Sequence, residues 1–237
     1  VLEFDKGKWT KKAFPSGATL KSVTAAGGGQ YYIIANNQIY ERSISGTFLL
    51  KASAPNLLND ITVTGPGRAM AVGASALLME LKGGVWSSKT GVFGLNDAYA
   101  IHANAMNDIW VVGNNGMIAH WTGGTTWTGI KSPTSKHLRG VWSSGASDVW
   151  AIGLDGTIVH FDGTKWAVVE GPTAGVDWLS IWGSDPNDLY MAGKGGILAR
   201  WDGTKWKVIA APVIETMRAV WGLGPKDVWA VGDKGAI

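Results

Sequence analysis

At 237 residues the chain has the length of one barrel or propeller domain, and 46% hydrophobic against 16% charged residues excludes a disordered polypeptide. No apolar run approaches the roughly 18 residues of a membrane-spanning helix, and a net charge of +3 without basic runs predicts no nucleic-acid partner and no membrane insertion. With no cysteine there is neither a disulfide framework nor a thiol nucleophile.

In chain order, the first apolar segment runs from Leu2 to Trp9 and lacks the inner half of the repeat that follows. That repeat opens on an apolar anchor, first Val23, then Ile61, Ile101, Val141, Ile181 and Val220, at steps of 38, 40, 40, 40 and 39 residues. The anchors of the later copies sit in Leu138-Arg-Gly-Val-Trp142, Leu179-Ser-Ile-Trp182 and Met217-Arg-Ala-Val-Trp221. A second strand led by aspartate follows: Asp108-Ile-Trp-Val-Val-Gly113, Asp148-Val-Trp-Ala-Ile-Gly153, Asp188-Leu-Tyr-Met-Ala-Gly193 and Asp227-Val-Trp-Ala-Val-Gly232. Third strands end at Trp121, Phe161 and Trp201, and Asp-Gly-Thr-Lys-Trp at 162–166 and 202–206 leads into the fourth. Alternating apolar residues, β-branched enrichment and Gly, Asp, Asn and Ser punctuation mark four short strands per copy, with no helical periodicity of useful length.

This pattern predicts an all-β, six-bladed β-propeller of four-stranded blades of about 40 residues, a single domain over 1–237. The last copy stops at Gly235-Ala-Ile237, so residues 1–19 are expected to complete the blade begun at 217–237 and close the ring. Val1 in place of Met, with no signal-peptide pattern, predicts a processed mature form or a piece of something larger.

Thirteen of the 14 tryptophans fall on repeated positions, which assigns them to packing between blades at about 5 kcal/mol gross per buried ring. Gly73, Gly113, Gly153, Gly193 and Gly232 are expected to end the second strand at a tight turn. Gly27-Gly-Gly29 falls in a strand-to-strand turn and does not lead into a helix, so it is no phosphate loop. His120 and His160 share one position with Arg200 and Glu80, which predicts a solvated strand face. The aspartates at 108, 148, 188 and 227 are expected to cap turns. No metal-ligand spacing, cofactor motif or catalytic constellation stands out.

Asp162-Gly-Thr-Lys-Trp166 and Asp202-Gly-Thr-Lys-Trp206 resemble the Asp-box, the bacterial neuraminidase repeat Ser-x-Asp-x-Gly-x-Thr-Trp. The Val-Trp-Ala-Val-Gly strand resembles the repeats of the photosystem II assembly propeller and related secreted bacterial propellers. The resemblance is clear over 98–237 and faint over 20–95. His, Arg or Glu replaces the box serine, most copies are a residue short, and Thr122 stands where the aspartate belongs in the one full-length copy. Sialidases of this kind use three arginines. Of the five here, Arg42 and Arg200 sit on third-strand faces away from the axis, and two near-axis arginines cannot make that triad. The resemblance implies fold and not hydrolysis.

The expected function is a non-catalytic recognition module, not an enzyme, that binds protein or glycan through one face, outside the cytoplasm (extracellular or periplasmic). An assembly factor or structural subunit of an envelope complex is the alternative, and a glycan hydrolase is disfavoured. Candidate ligand contacts are the polar positions opening the innermost strands, Lys21, Asn59, Tyr99, Arg139, Ser180 and Arg218, of which Lys21, Arg139 and Arg218 would form a positive ring. Trp178, in the connection beginning at Glu170, is the one tryptophan without a repeat position, and it is expected to be an exposed binding ring.

Overall fold

A computed structural model describes residues 2–5, 8–15, 17, 19–209 and 213–237, with backbone alone for residues 2–5. Two strands come first, β1 (Leu2–Asp5) and β2 (Lys8–Lys11). The first blade is β3 (Leu20–Gly27), β4 (Gln30–Ala35), β5 (Gln38–Arg42) and β6 (Phe48–Ser53). The second is β7 (Leu58–Gly65), β8 (Arg68–Gly73), β9 (Leu78–Lys82) and β10 (Val85–Lys89). The third runs through β11 (Ala98–Ala105), β12 (Asp108–Gly113), β13 (Ile118–Trp121) and β14 (Thr128–Ile130). The fourth holds β15 (Leu138–Gly145), β16 (Asp148–Gly153), β17 (Ile158–Phe161) and β18 (Trp166–Val168). In the fifth are β19 (Trp178–Asp185), β20 (Asp188–Gly193), β21 (Leu198–Trp201) and β22 (Trp206–Ile209); β23 (Met217–Gly224) and β24 (Asp227–Gly232) begin the sixth.

Strand order within each sheet follows the sequence and every neighbouring pair is antiparallel, so each copy of the repeat is a meander. First strands pack on first strands, β3 against β7 and so on to β19 against β23. The molecule is a β-propeller of six successive blades. Its two ends meet: Trp9 on β2 lies edge-on to Trp229 on β24, with ring centroids 6.2 Å apart. The segments expected to share one blade, residues 1–19 and 217–237, contain two hairpins, β1–β2 and β23–β24, and no ladder joins them among the described residues. Residues 6 and 7, between β1 and β2, lie outside the described residues.

The glycines ending the second strands have a different cause from the turn expected of them. Gly113 and Gly153 are extended, at φ −163° and −168°. A Cβ there would lie 2.0 Å from the carbonyl oxygens of Asp97 and His137, so the requirement is close approach to the segment leading into the first strand of the same blade.

Polar side chains link first strand to first strand. Ser22 donates to Asp60 at 2.6 Å, and Asp60 accepts the amide hydrogens of Ile61 and Ile101, both at 2.9 Å. Burial outweighs these bonds and raises the Asp60 pKa. Further round, the Val220 amide donates to Ser180 at 3.1 Å.

His102 meets the Ser143 carbonyl at 3.3 Å, and burial pushes its pKa down to about 4. An unfolded histidine titrates near 6.5, so below that pH the unfolded chain takes up a proton that the folded chain refuses. Stability should therefore fall as pH falls from about 6.5 towards 4. We expect urea titrations to lose about 1–2 kcal/mol between pH 7 and pH 5, with the loss absent in His102→Gln; equal losses in both proteins would refute the assignment.

Candidate functional site

The second and third strands carry a repeated side-chain network that the sequence reading took for a solvated face. Asp108 Oδ1 accepts from Trp110 Nε1 at 3.1 Å and His120 Nε2 at 2.7 Å, while its Oδ2 accepts from Asn104 at 3.0 Å. The His120 ring stacks on Trp110, with centroids 3.7 Å apart. The next blade repeats this with Asp148, Trp150, His160 and Ser144, and the fifth uses Asp188, Arg200 and Ser184. Burial pushes Asp148 up, but the donors around it outweigh that and leave its carboxyl below the usual range.

These groups superficially suggest a catalytic triad. The geometry differs, because Ser144 and His160 both donate to Asp148 and the serine is not hydrogen-bonded to the histidine. The network ties strands together and accounts for the aspartates better than turn capping does.

Trp178 is core. It lies within β19 opposite Gly193 and is 0% exposed, packed with Ile158, Met191 and Val176. It occupies the position that Leu58, Leu138 and Met217 hold in other blades, three residues before the anchor. A Cβ on Gly193 would come within 3.0 Å of its ring, so the glycine makes the space that the large side chain fills. The expected exposed binding ring is thus corrected.

The innermost strands each carry a bulge one residue after their start, between Leu20 and Ser22, Leu58 and Asp60, Ala98 and Ala100, Leu138 and Gly140, Trp178 and Ser180, and Met217 and Ala219. The bulge residues are therefore Lys21, Asn59, Tyr99, Arg139, Leu179 and Arg218. Leu179 replaces Ser180 in the expected set, since Ser180 points to the next strand.

The three cations do not form a bare positive ring. Arg218 is held by Asp233 through two bonds of 2.9 Å, and Lys21 is exposed on β3. Arg139 instead leans on the preceding blade, its guanidinium carbon 3.9 Å from the Tyr99 ring centroid. Its Nε is buried with no hydrogen-bond partner among the described residues. Asn59 donates to the Ala98 carbonyl at 2.8 Å and is structural.

Around Arg139 and Tyr99 the rim is braced from blade to blade. The amides of Ser75, Asn115 and Asp155, all at positive φ, donate to Asp97, His137 and Asp177, the residues just before the next first strand. Asn115 donates to His137 Nδ1 at 3.1 Å, so Nδ1 is the unprotonated nitrogen of that ring. The His137 ring stands edge-on to Tyr99 at 6.1 Å. Asp177 accepts from Lys194, and this bond, the Asp155 amide and the nearby Arg139 charge hold its carboxyl below the usual range.

A hollow of about 440 Å³ opens beside this rim between Phe93, Met117, Trp127 and Thr134. A second, of about 460 Å³, lies at the far ends of β3, β7 and β11. No titratable side chain lines either. Among the described residues no cluster of His, Asp and Glu could hold a metal ion. Among the described residues no helix is long and apolar enough to cross a membrane.

No family model matches this chain, and no curated protein matches it. Solved structures do resemble it in fold. A structure of YCF48 from Cyanidioschyzon merolae is 16% identical with a TM-score of 0.77, over 97% of this chain and 84% of that one. YCF48 bound to D1 peptide gives 16% and 0.74, over 96% and 80%. A structure of U3-55K gives 10% and 0.74, over 92% and 76%. At these identities the likeness is one of fold, and it supports the propeller without supporting the Asp-box family in particular.

Proposed function

We propose that this propeller is a non-catalytic protein-recognition module that takes a carboxylate of an extended polypeptide on the rim formed by Tyr99, Arg139 and His137. The observation that carries the reading is Arg139: a guanidinium stacked on an aromatic ring, with a buried Nε left without a partner. A planar cation fixed in this way is suited to a carboxylate, which the outer guanidinium nitrogens would take. The structural neighbour described as bound to a peptide supports a polypeptide as the partner class. With Trp178 in the core the glycan alternative has no aromatic candidate left, and it is not carried forward. We place the module outside the cytoplasm on the likeness of its repeats to secreted bacterial propellers, which fractionation of the source cells tests. A role in assembling an envelope complex uses the same contact and differs only in the partner's fate.

An array of extended peptides, each with a free or amidated C-terminus and with or without acidic side chains, provides the test. Binding should require a carboxylate and fall at least about tenfold in Arg139→Gln, whose melting temperature should match the parent's. Peptide binding that is indifferent to both changes would sink the reading.

A further inference from the structure

Equivalent positions in this propeller should be equally covered, and at one place they are not. The anchors Ile61, Ile101, Val141, Ile181 and Val220 are each 8% exposed or less, whereas Val23 is 64% exposed. Trp142, one residue after its anchor, is 6% exposed, but its counterpart Trp221 is 55% exposed. The covering atoms are identifiable elsewhere in the ring. A Cβ on Gly183 of the fifth blade would touch Trp142 at 2.8 Å, and one on Gly222 of the sixth would touch Trp182 at 2.8 Å. By that rule Ala25 should cover Trp221, yet Ala25 and Trp221 are both exposed. Two apolar walls result, Leu20 and Val23 on β3, and Trp221, Leu223, Trp229 and Val231 on β23 and β24.

The terminal hairpin shows what belongs between them. Phe4 pairs with Trp9 across β1 and β2 as Phe161 pairs with Trp166 and Trp201 with Trp206, which makes β1 a third strand and β2 a fourth. Fourth-strand rings pack on second-strand rings of the preceding blade: Trp86 on Tyr32, Trp166 on Trp110 and Trp206 on Trp150, at 5.7–5.8 Å. Trp9 on Trp229 repeats this edge-on contact. The hairpin β1–β2 is therefore placed as the outer half of the blade after β23–β24, and not as the outer half of the same blade.

We propose that the cleft between β3 and β23–β24 seats one further segment of about 40 residues with this chain's own repeat pattern, making a seventh blade position. Its strands would come in the order third, fourth, first, second. The first two would extend β24 into a full blade. The last two would pair with β1 and cover the walls as every other blade covers its neighbour. The inference continues an interface already repeated five times in the molecule, and it is independent of the ligand reading.

Residues 157–196 of this chain contain strands in that order, β17 to β20. A copy of them should be fused after Ile237 by a short linker, and the same segment co-expressed with the intact chain as a separate polypeptide. In at least one format we expect acrylamide quenching of tryptophan to fall and the melting temperature to rise by several degrees, with a scrambled segment inert in both. Unchanged quenching and melting in both formats would overturn the proposal. So would rapid disulfide formation in a Val23→Cys, Ala219→Cys variant of the unfused chain, because β23 would then close directly on β3. A dimer of the unfused chain with its tryptophans shielded would assign the cleft to a second copy, and would equally overturn it.

Discussion

Replacing Trp178 by alanine is expected to destabilise the protein by about 3–5 kcal/mol, because a fully buried ring leaves a cavity that its neighbours cannot refill. Ile158, Met191 and Trp206 belong to the same cluster, and Gly193 offers no side chain to move into the space. Trp221→Ala supplies the contrast: a repeated tryptophan, but an exposed one, expected to cost about 0.5 kcal/mol or less. Denaturant titration of the two variants separates core from surface. Equal costs would mean that burial does not decide the energetics of these rings.

Asp108→Ala should be comparably damaging, at about 3–5 kcal/mol. The carboxylate is buried and accepts from three donors, so its removal leaves Trp110, His120 and Asn104 unsatisfied at once. The same substitution at Asp227 should cost about 1 kcal/mol or less. Asp227 is exposed, although it still accepts from Trp229 at 2.6 Å. Thermal melts of both variants measure the difference. A mild Asp108→Ala would reduce the network to a geometric coincidence.

The architecture was legible because the anchor spacing and the second-strand motif repeat with little drift, and each anchor does sit mid-strand in a first strand. Trp178 was misread because its flank of Gly, Pro and Asp signals a loop, whereas counting back three residues from Ile181 places it on the position of Leu138. The same count would have put Leu179, not Ser180, beside Arg139. The aspartate network was hidden by variation, since His120, His160 and Arg200 look interchangeable only on a solvated face. The constant spacing of 12 residues from Asp108, Asp148 and Asp188 was the available signal, and its meaning is that His120, His160 and Arg200 each donate to the aspartate of their own blade. Repeat arithmetic could not say which blade the first hairpin joins. That depends on whether Trp9 packs like an outer strand of the same blade or of the next, and only ring geometry distinguishes the two.

We propose above that recognition occurs on the rim where the innermost strands begin. Hydrogen–deuterium exchange of the intact chain, with and without the tightest carboxylate-bearing peptide from the array, tests it most directly. We predict added protection in segments 97–100, 136–140 and 176–180, which hold Tyr99, His137, Arg139 and Leu179, and none at 104–107 or 144–147 on the opposite face. Protection confined to those opposite loops, or none anywhere at saturating peptide, would contradict it.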